Sequence, residues 1–299
     1  MFLPIAVLTT VLVSNSVVSC LKFCDLPNSS LLRVIGGSIA APGAYPWQAA
    51  IVFYDGSYEG LMCGATVVDE YWILTAAHCI MKNWKKAYIL TGLNSLTDPA
   101  HTVHVRRAVI HPQYDEDDIT NDIALVQSDY SLQKPGTSTV CLVKDDSEVL
   151  SAANSAMVVG FGLHIVSQTL SALTMGVSDV LQQTKLPIIP LQQCRREWST
   201  LSGGSMTISD KQICAGSELH GTAPGDSGGP LLVKDTLGRL VQVGITSYGA
   251  AGFQGLLDQS TYPGVYTRVS PYIPWMEDVT SSATTSSLAV AVAVTLFIY

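Results

Sequence analysis

The chain has 299 residues, of which 47% are hydrophobic and 13% charged, so it has enough apolar material for a large packed core. With 16 Lys and Arg against 24 Asp and Glu, its net charge of −8 argues against nucleic acid as the main partner. Its 24 glycines and 14 prolines exclude collagen-like and low-complexity classes. Seven cysteines is an odd number, so complete pairing in an oxidising compartment leaves one of them unpaired.

The chain begins with an apolar run, Phe2–Val13, which small polar residues follow as far as Ser19 and Cys20. This arrangement is typical of a secretory signal peptide, predicted over residues 1–20, although no Lys or Arg precedes the run; a buried helix is the alternative. Small residues allow cleavage after Ser19 or after Cys20, and the choice decides whether Cys20 belongs to the mature protein. Asn28 begins the only N-glycosylation sequon of the chain and is a candidate glycosylation site.

Short apolar runs rich in Val, Ile and Tyr fill the middle of the chain, bounded by Gly, Pro, Asn or Asp. This pattern predicts an all-β protein, with enough strands for two barrels and a seam near residues 132–150 whose loops would form a cleft. Pro271–Val279 is the one segment that we interpret as a helix. The predicted strands are Trp47–Phe53, Met62–Val68, Ala87–Thr91, Asp122–Val126, Ala156–Val159, Gly229–Val233 and Leu240–Tyr248.

Three segments carry residue types that suit nucleophilic catalysis. His78 lies in Thr75–Cys79 (TAAHC), Asp122 opens an apolar strand, and Ser227 lies in the glycine-dense turn Gly225–Pro230 (GDSGGP). Such catalysis needs a hydroxyl, a base that takes its proton, and a group that orients the base. Each segment alone has an ordinary structural explanation, but the three together indicate a Ser–His–Asp hydrolase.

In this order and with these neighbouring residues, the segments resemble the trypsin/chymotrypsin family of serine endopeptidases, from about Arg33 to Met276. The resemblance implies two packed six-stranded antiparallel Greek-key barrels with a short C-terminal helix. It implies that Ser227 is the nucleophile and His78 the general base, with Asp122 orienting His78. The backbone N–H groups of Gly225 and Ser227 would form the oxyanion hole.

The segment Arg33–Gly37 (RVIGG) resembles the family's zymogen activation site. The resemblance implies a propeptide over residues 21–33, a protease domain over residues 34–280, and a trypsin-like activating protease that cuts after Arg33. The new ammonium group of Val34 would pair with Asp226, because a buried carboxylate needs a buried partner.

The family also implies how the cysteines pair. Cys63–Cys79 would brace the loop of His78, Cys194–Cys214 would brace the second barrel, and Cys24–Cys141 would keep the cleaved propeptide attached, which leaves Cys20 over. A further bridge of the family is absent because Ala223 stands at one of its ends, with Gly252 or Phe253 near the other. The sequence does not determine whether the neighbouring specificity pocket is ordered without this bridge.

By the same resemblance, Gly221 and Thr222 form the base of the specificity pocket, and Gly249 and Gly264 belong to its walls. Without an acid at these positions, a buried Lys or Arg of the substrate would lack a partner. Glycine walls leave depth for a large ring, so the expected preference is for large apolar or aromatic residues, with an elastase-like preference for small residues as the alternative. The strand Ser247-Tyr248-Gly249 would pair with the substrate backbone.

The last residues, Leu288–Tyr299, form an apolar run that a helix would extend only about 18 Å, short of a bilayer core of about 30 Å. Residues 281–299 resemble a GPI-attachment signal, and a frayed or packed tail is the alternative. The expected location is therefore secreted or on the extracellular face of the plasma membrane.

The expected partners are protein or peptide substrates, an activating protease and protease inhibitors, with no nucleic acid and no membrane except through a lipid anchor. Neither a cofactor nor a metal site is expected, because Leu93 stands where the family's calcium loop has a liganding glutamate. The rival function is a non-catalytic binding protein on the same fold.

Overall fold

The computed structural model of this chain describes residues 33–56, 60–169 and 172–281, with the backbone alone at 33–36 and 164–177. The expected signal peptide, Cys20, Cys24, Asn28 and the hydrophobic tail beyond residue 281 lie outside these residues. No helix in the described part of the chain is long and apolar enough to cross a membrane.

The first half of the chain forms a closed antiparallel barrel of six strands. Fully buried apolar side chains fill it, among them Ile51, Phe53 and Leu125, and closure leaves no strand edge unpaired. The barrel order is β2–β3–β4–β7–β6–β5, with β5 returning to β2. After β1 (Arg33–Ile39), its strands are β2 (Gln48–Tyr54), β3 (Gly60–Asp69), β4 (Trp72–Thr75), β5 (Lys86–Thr91), β6 (His101–Ile110) and β7 (Ala124–Ser128).

The second half forms another six-stranded barrel around a separate core that includes Leu186, Leu231 and Tyr266. Its elements are α1 (Ser147–Ala152), β8 (Ser155–Gly160), β9 (Leu163–Thr169), β10 (Ala172–Val177), β11 (Gln182–Ile189), α2 (Leu191–Leu201), β12 (Gln212–Ala215), β13 (Pro230–Lys234), β14 (Leu240–Tyr248), α3 (Gly252–Leu257), β15 (Gly264–Arg268) and α4 (273–281). The barrel order is β8–β11–β12–β15–β14–β13, closed by pairing of β13 with β8, while β1 adds to β11 and β9–β10 form a separate hairpin.

The all-β prediction with two six-stranded barrels and a C-terminal helix is confirmed, and a strand forms on each of the seven apolar runs. The prediction of a single helix is wrong, because α1, α2 and α3 also form. Helix α2 buries Cys194 and Trp198 along one face and leaves the charged residues between them more exposed. This four-residue spacing is an amphipathic signal that the sequence carries, but the helix has only 11 residues and a mostly polar composition.

A buried ion pair anchors the connection between the barrels, which runs from the end of β7 to the start of β8. Asp146 in this connection is fully buried, and Arg268 at the end of β15 donates from Nε to both of its carboxylate oxygens at 3.0 Å and from Nη2 to Oδ1. The hydrogen bonds to Asp146 raise the pKa of Arg268 above the already high value of an ordinary arginine. The connection is thus held against the last strand of the second barrel.

We expect Arg268→Leu to lower the free energy of unfolding by about 3–5 kcal/mol, because it leaves the buried carboxylate of Asp146 without its partner. Urea unfolding in a Ser227→Ala background, which prevents autolysis, measures the change. Lys144→Leu is the matched control, since Lys144 pairs with Glu277 at the surface and should contribute only about 0–1 kcal/mol. Equal losses in the two variants would contradict the anchoring role of Asp146.

Candidate active site

His78 and Asp122 are brought together by two neighbouring strands of the first barrel. His78 lies in a short 3₁₀ turn directly after β4, and Asp122 lies just before β7. Because Thr75 at the end of β4 pairs with Ala124 at the start of β7, both residues lie at one end of the barrel. Nδ1 of His78 lies 2.8 Å from Oδ2 of Asp122, and the backbone N–H of His78 donates to Oδ1 at 2.9 Å.

The environment of Asp122 keeps its carboxylate ionised. Burial alone would raise its pKa, but the hydrogen bonds from His78 and Ser247 outweigh burial and the pKa is lowered. Ser247 comes from the second barrel and donates from its hydroxyl to Oδ2. An ionised Asp122 places the proton of a neutral His78 on Nδ1 and leaves Nε2 free to accept a proton.

The turn that carries Ser227 lies between β12 and β13 and packs backbone to backbone against the first barrel. The N–H of Gly64 in β3 donates to the carbonyl oxygen of Ser227 at 2.8 Å. Gly228 has a φ of +77°, and a Cβ there would lie only 2.2 Å from Oγ1 of Thr75 and 2.4 Å from the carbonyl oxygen of Gly64. Only glycine allows so close an approach, so Gly228 has a role in positioning Ser227.

The serine turn also presents two backbone donors. Gly225 has a φ of +102°, and the N–H groups of Gly225 and Ser227 have no hydrogen-bond acceptor within the described part of the chain. The N–H of Asp226 between them donates to the carbonyl oxygen of Ala223 at 3.0 Å and points elsewhere. This pair of unused donors has the composition of an oxyanion hole.

Ser227 and His78 share no hydrogen bond in this arrangement, among the bonds that the described residues form. Nε2 of His78 instead faces Sγ of Cys79 at 3.7 Å. Catalytic hydrogen bonds often tighten only when substrate is bound, so the lack of this bond is compatible with Ser227 as a nucleophile and His78 as its base.

Asp226, next to the serine, is buried without a cation to pair with among the described residues. Its carboxylate accepts the N–H of Gly162 at 2.9 Å and that of Ala223 at 3.0 Å. Burial raises the pKa of Asp226 to about 6 in spite of these two hydrogen bonds. Arg33 and Val34 belong to β1, where the structure describes their backbone but not their side chains.

A cavity of about 420 Å³ opens beside Ser227. Thr222 and Gly249, two residues predicted for the specificity pocket, line it, whereas Gly221 and Gly264 lie behind the side chain of Gln259. The space beside Gly221 is therefore filled, because the Gln259 carboxamide occupies it. Sequence reasoning missed Gln259, which lies in a long segment between β14 and β15 without a motif of its own.

The remaining predicted residues border this site or brace it. Ser247, Tyr248 and Gly249 run along the cavity at the end of β14. Disulfides join Cys63 to Cys79 and Cys194 to Cys214. Cys141 is disulfide-bonded, and the expected pair with Cys24 involves a residue outside the described part of the chain.

One group of potential metal ligands lies close together among the described residues, namely Cys63, His78 and Cys79. Both sulfur atoms belong to the disulfide, so neither is available as a thiolate ligand. These residues do not form a metal site in this state.

Residues 34–276 match the family model described as "Trypsin". Human "Tissue-type plasminogen activator" is 30% identical over 287 residues, which cover 86% of this chain and 48% of that protein. "Atrial natriuretic peptide-converting enzyme" of Mus musculus is 31% identical (82% and 21% covered), and "Clotting factor G beta subunit" of Tachypleus tridentatus is 27% identical (86% and 83%). The chain thus spans about half the length of the human relative, and less of the mouse one.

We expect the stability of the uncleaved chain to depend on pH through Asp226. The folded state binds the Asp226 proton more tightly than the unfolded state, whose pKa is near 3.8, so stability falls as pH rises from about 4 to about 6. The shift corresponds to a loss on the order of 3 kcal/mol. Asp226→Asn has no proton to lose and should gain that amount relative to the unsubstituted chain between pH 4 and pH 7.

Urea unfolding at the two pH values, with Ser227→Ala in every protein, measures this difference. Asp117→Asn, at an exposed carboxylate, controls for the general effect of removing one negative charge. The Asp226→Asn protein and its parent differ in their free energy of unfolding. If this difference is the same at pH 4 and pH 7, Asp226 does not cause the pH dependence.

Proposed function

This chain belongs to the trypsin family of serine proteases, and we propose that it is an endopeptidase that hydrolyses peptide bonds through Ser227, His78 and Asp122. The observation that supports the proposal best is the pairing of His78 with a buried, ionised Asp122 beside a serine turn with two unused N–H donors. These residues would supply the nucleophile, the base, the group that orients the base and the oxyanion hole that acyl transfer needs.

In the proposed reaction, Oγ of Ser227 attacks the carbonyl carbon of the peptide while Nε2 of His78 takes the hydroxyl proton. The tetrahedral intermediate places its negative oxygen at the N–H groups of Gly225 and Ser227. The imidazolium, stabilised by Asp122, then gives its proton to the leaving amine, and an acyl-enzyme remains. A water molecule that His78 deprotonates hydrolyses this ester and regenerates Ser227.

We propose that the chain is made as a zymogen that cleavage after Arg33 activates. Before cleavage the nitrogen of Val34 is an amide and carries no charge, and Asp226 favours its neutral form. An ammonium group at Val34 would supply the missing cation and lower the pKa of Asp226. Because Asp226 lies between the two donors of the oxyanion hole, this ion pair would order them.

The cavity beside Ser227 supports a preference for large uncharged residues before the scissile bond. None of its lining residues carries a charge, within the part of the chain that the structure describes. A Lys or Arg side chain buried there would lose its hydration without gaining a carboxylate. A preference for small residues is the alternative within the same reaction.

The two described disulfides support an extracellular location, because disulfides persist in oxidising compartments. The proposed partners are therefore extracellular proteins or peptides as substrates, a trypsin-like activating protease, and protease inhibitors. A binding protein without activity on the same fold remains the rival function, which the next experiment separates.

Cleavage of the purified chain after Arg33 should produce peptidase activity that Ser227→Ala abolishes, because the alanine offers no hydroxyl. The same cleavage should allow a fluorophosphonate probe to label Ser227 covalently. Arg33→Gln, which removes the trypsin-like cleavage site, should leave the chain inactive after the same treatment. A cleaved, folded chain with neither labelling nor hydrolysis would overturn the endopeptidase proposal and favour the binding protein.

Substrates with Phe, Tyr or Leu before the scissile bond should be cleaved at least about ten times better, by kcat/KM, than matched Lys or Arg substrates. A peptide library profiled with the activated chain measures the ranking. The reverse ranking would refute the uncharged pocket, and a preference for Ala or Val would favour the elastase-like alternative.

A further inference from the structure

The segment between β14 and β15 carries a glutamine whose side chain is buried at the end of the cavity. Gln259 follows α3 and is only 3% exposed. Asp258 holds the turn, since its Oδ1 accepts the N–H groups of Ser260 and Thr261 at 3.2 Å. The segment is also attached to the pocket base, because the N–H of Leu219 donates to the carbonyl oxygen of Leu257 at 2.6 Å. The position of Gln259 is thus determined by the backbone on both sides.

Three glycines surround the Gln259 side chain and leave room for it. A Cβ at Gly221 would lie 2.0 Å from Cδ and Oε1 of Gln259, and a Cβ at Gly216 would lie 2.5 Å from its Cβ. A Cβ at Gly264 would lie 3.1 Å from Oε1. Real Cβ atoms do not approach other atoms as closely as the first two distances, so no side chain at Gly221 or Gly216 fits beside Gln259 in this position.

The backbone of Thr222 orients the carboxamide. Its N–H donates to Oε1 of Gln259 at 3.2 Å, and its carbonyl oxygen accepts from Nε2 at 2.6 Å. Exchanging the oxygen and nitrogen of the amide would oppose donor to donor and acceptor to acceptor, so the orientation is specified. Among the bonds that the described residues form, these two use one N–H and one lone pair of the carboxamide, so its second N–H and second lone pair are available.

We infer that Gln259 determines substrate specificity by providing a neutral hydrogen-bonding floor for the side chain that precedes the scissile bond. The inference rests on the proposed endopeptidase function and refines it. The floor offers both a donor and an acceptor but no charge, so it selects a large uncharged side chain that ends in a hydroxyl. Tyrosine is therefore preferred over phenylalanine, and a lysine or arginine finds no carboxylate.

Two substitutions of Gln259 test this role in the activated chain. Gln259→Met keeps the length of the side chain and removes its amide, so the ratio of kcat/KM for Tyr over Phe substrates should fall about three- to tenfold, the effect of one neutral hydrogen bond. Gln259→Glu turns one carboxylate oxygen towards the carbonyl oxygen of Thr222, and a cationic substrate relieves that repulsion. The ratio for Lys over Phe substrates should rise at least about tenfold.

Gln254→Glu is the matched control, because it makes the same change at an exposed residue of α3 in the same segment. Fluorophosphonate labelling of Ser227 counts the correctly assembled sites in each variant. If labelling is intact and both ratios stay at the values of the unsubstituted enzyme, the inference on Gln259 is overturned.

A binding experiment separates failure of this inference from failure of the proposed function. Benzamidine is a small cation of the shape of an arginine side chain, and calorimetry in a cleaved Ser227→Ala background measures its binding without turnover. We expect the Gln259→Glu protein to bind benzamidine at least about tenfold more tightly than the protein that keeps Gln259. The Gln254→Glu control should bind it no more tightly than that reference protein. Unchanged affinity would overturn the role of Gln259, whatever the outcome of the peptidase assay.

Discussion

The hydrogen bond from the N–H of Gly64 to the carbonyl oxygen of Ser227 joins the two halves of the site. Each barrel closes through the pairing of its own strands, so neither depends on the other for a partner strand. The proposed catalytic arrangement nevertheless needs His78 and Asp122 from the first barrel beside Ser227 from the second. Direct backbone contact solves this problem, and Gly228 makes it sterically possible. The side-chain bond from Ser247 to Asp122 adds a second connection across the same seam.

The buried carboxylates of Asp122 and Asp226 lie near this seam, and their surroundings shift their pKa values in opposite directions. Asp122 receives hydrogen bonds from His78 and Ser247 that lower its pKa, so its charge is ready to orient the histidine. Asp226 receives two backbone N–H groups, the only hydrogen bonds to its carboxylate among the described residues, and burial raises its pKa. The same residue type thus keeps its charge at one position and, in the activation that we propose, gains a charge on cleavage at the other. That no described residue supplies a cation beside Asp226 is the physical basis of the activation that we propose.

The cavity beside Ser227 depends on the segment between β14 and β15, which contributes several of its lining residues. Without an acid at Gly221, the sequence suggested a deep pocket with glycine walls, but the segment between β14 and β15 places the Gln259 side chain beside Gly221. Gly221 and Gln259 are 38 positions apart in the chain. Pattern reading along the sequence does not connect them, because their contact exists only after β14 and β15 have paired.

The sequence by itself determined the fold class and the chemistry of the site. Strand patterns marked both barrels, and the segments around His78, Asp122 and Ser227 indicated the reaction, since backbone turns and nucleophilic catalysis demand particular residue types locally. Tertiary structure alone decided which donors Asp122 receives, how closely Gly228 approaches the first barrel and what lies at the end of the pocket. These three features depend on contacts between residues that are far apart in the chain. No local sequence pattern reveals such contacts. Helix α2 lies between the two cases, because its apolar face is visible in the sequence but is stabilised as a helix by packing against the second barrel.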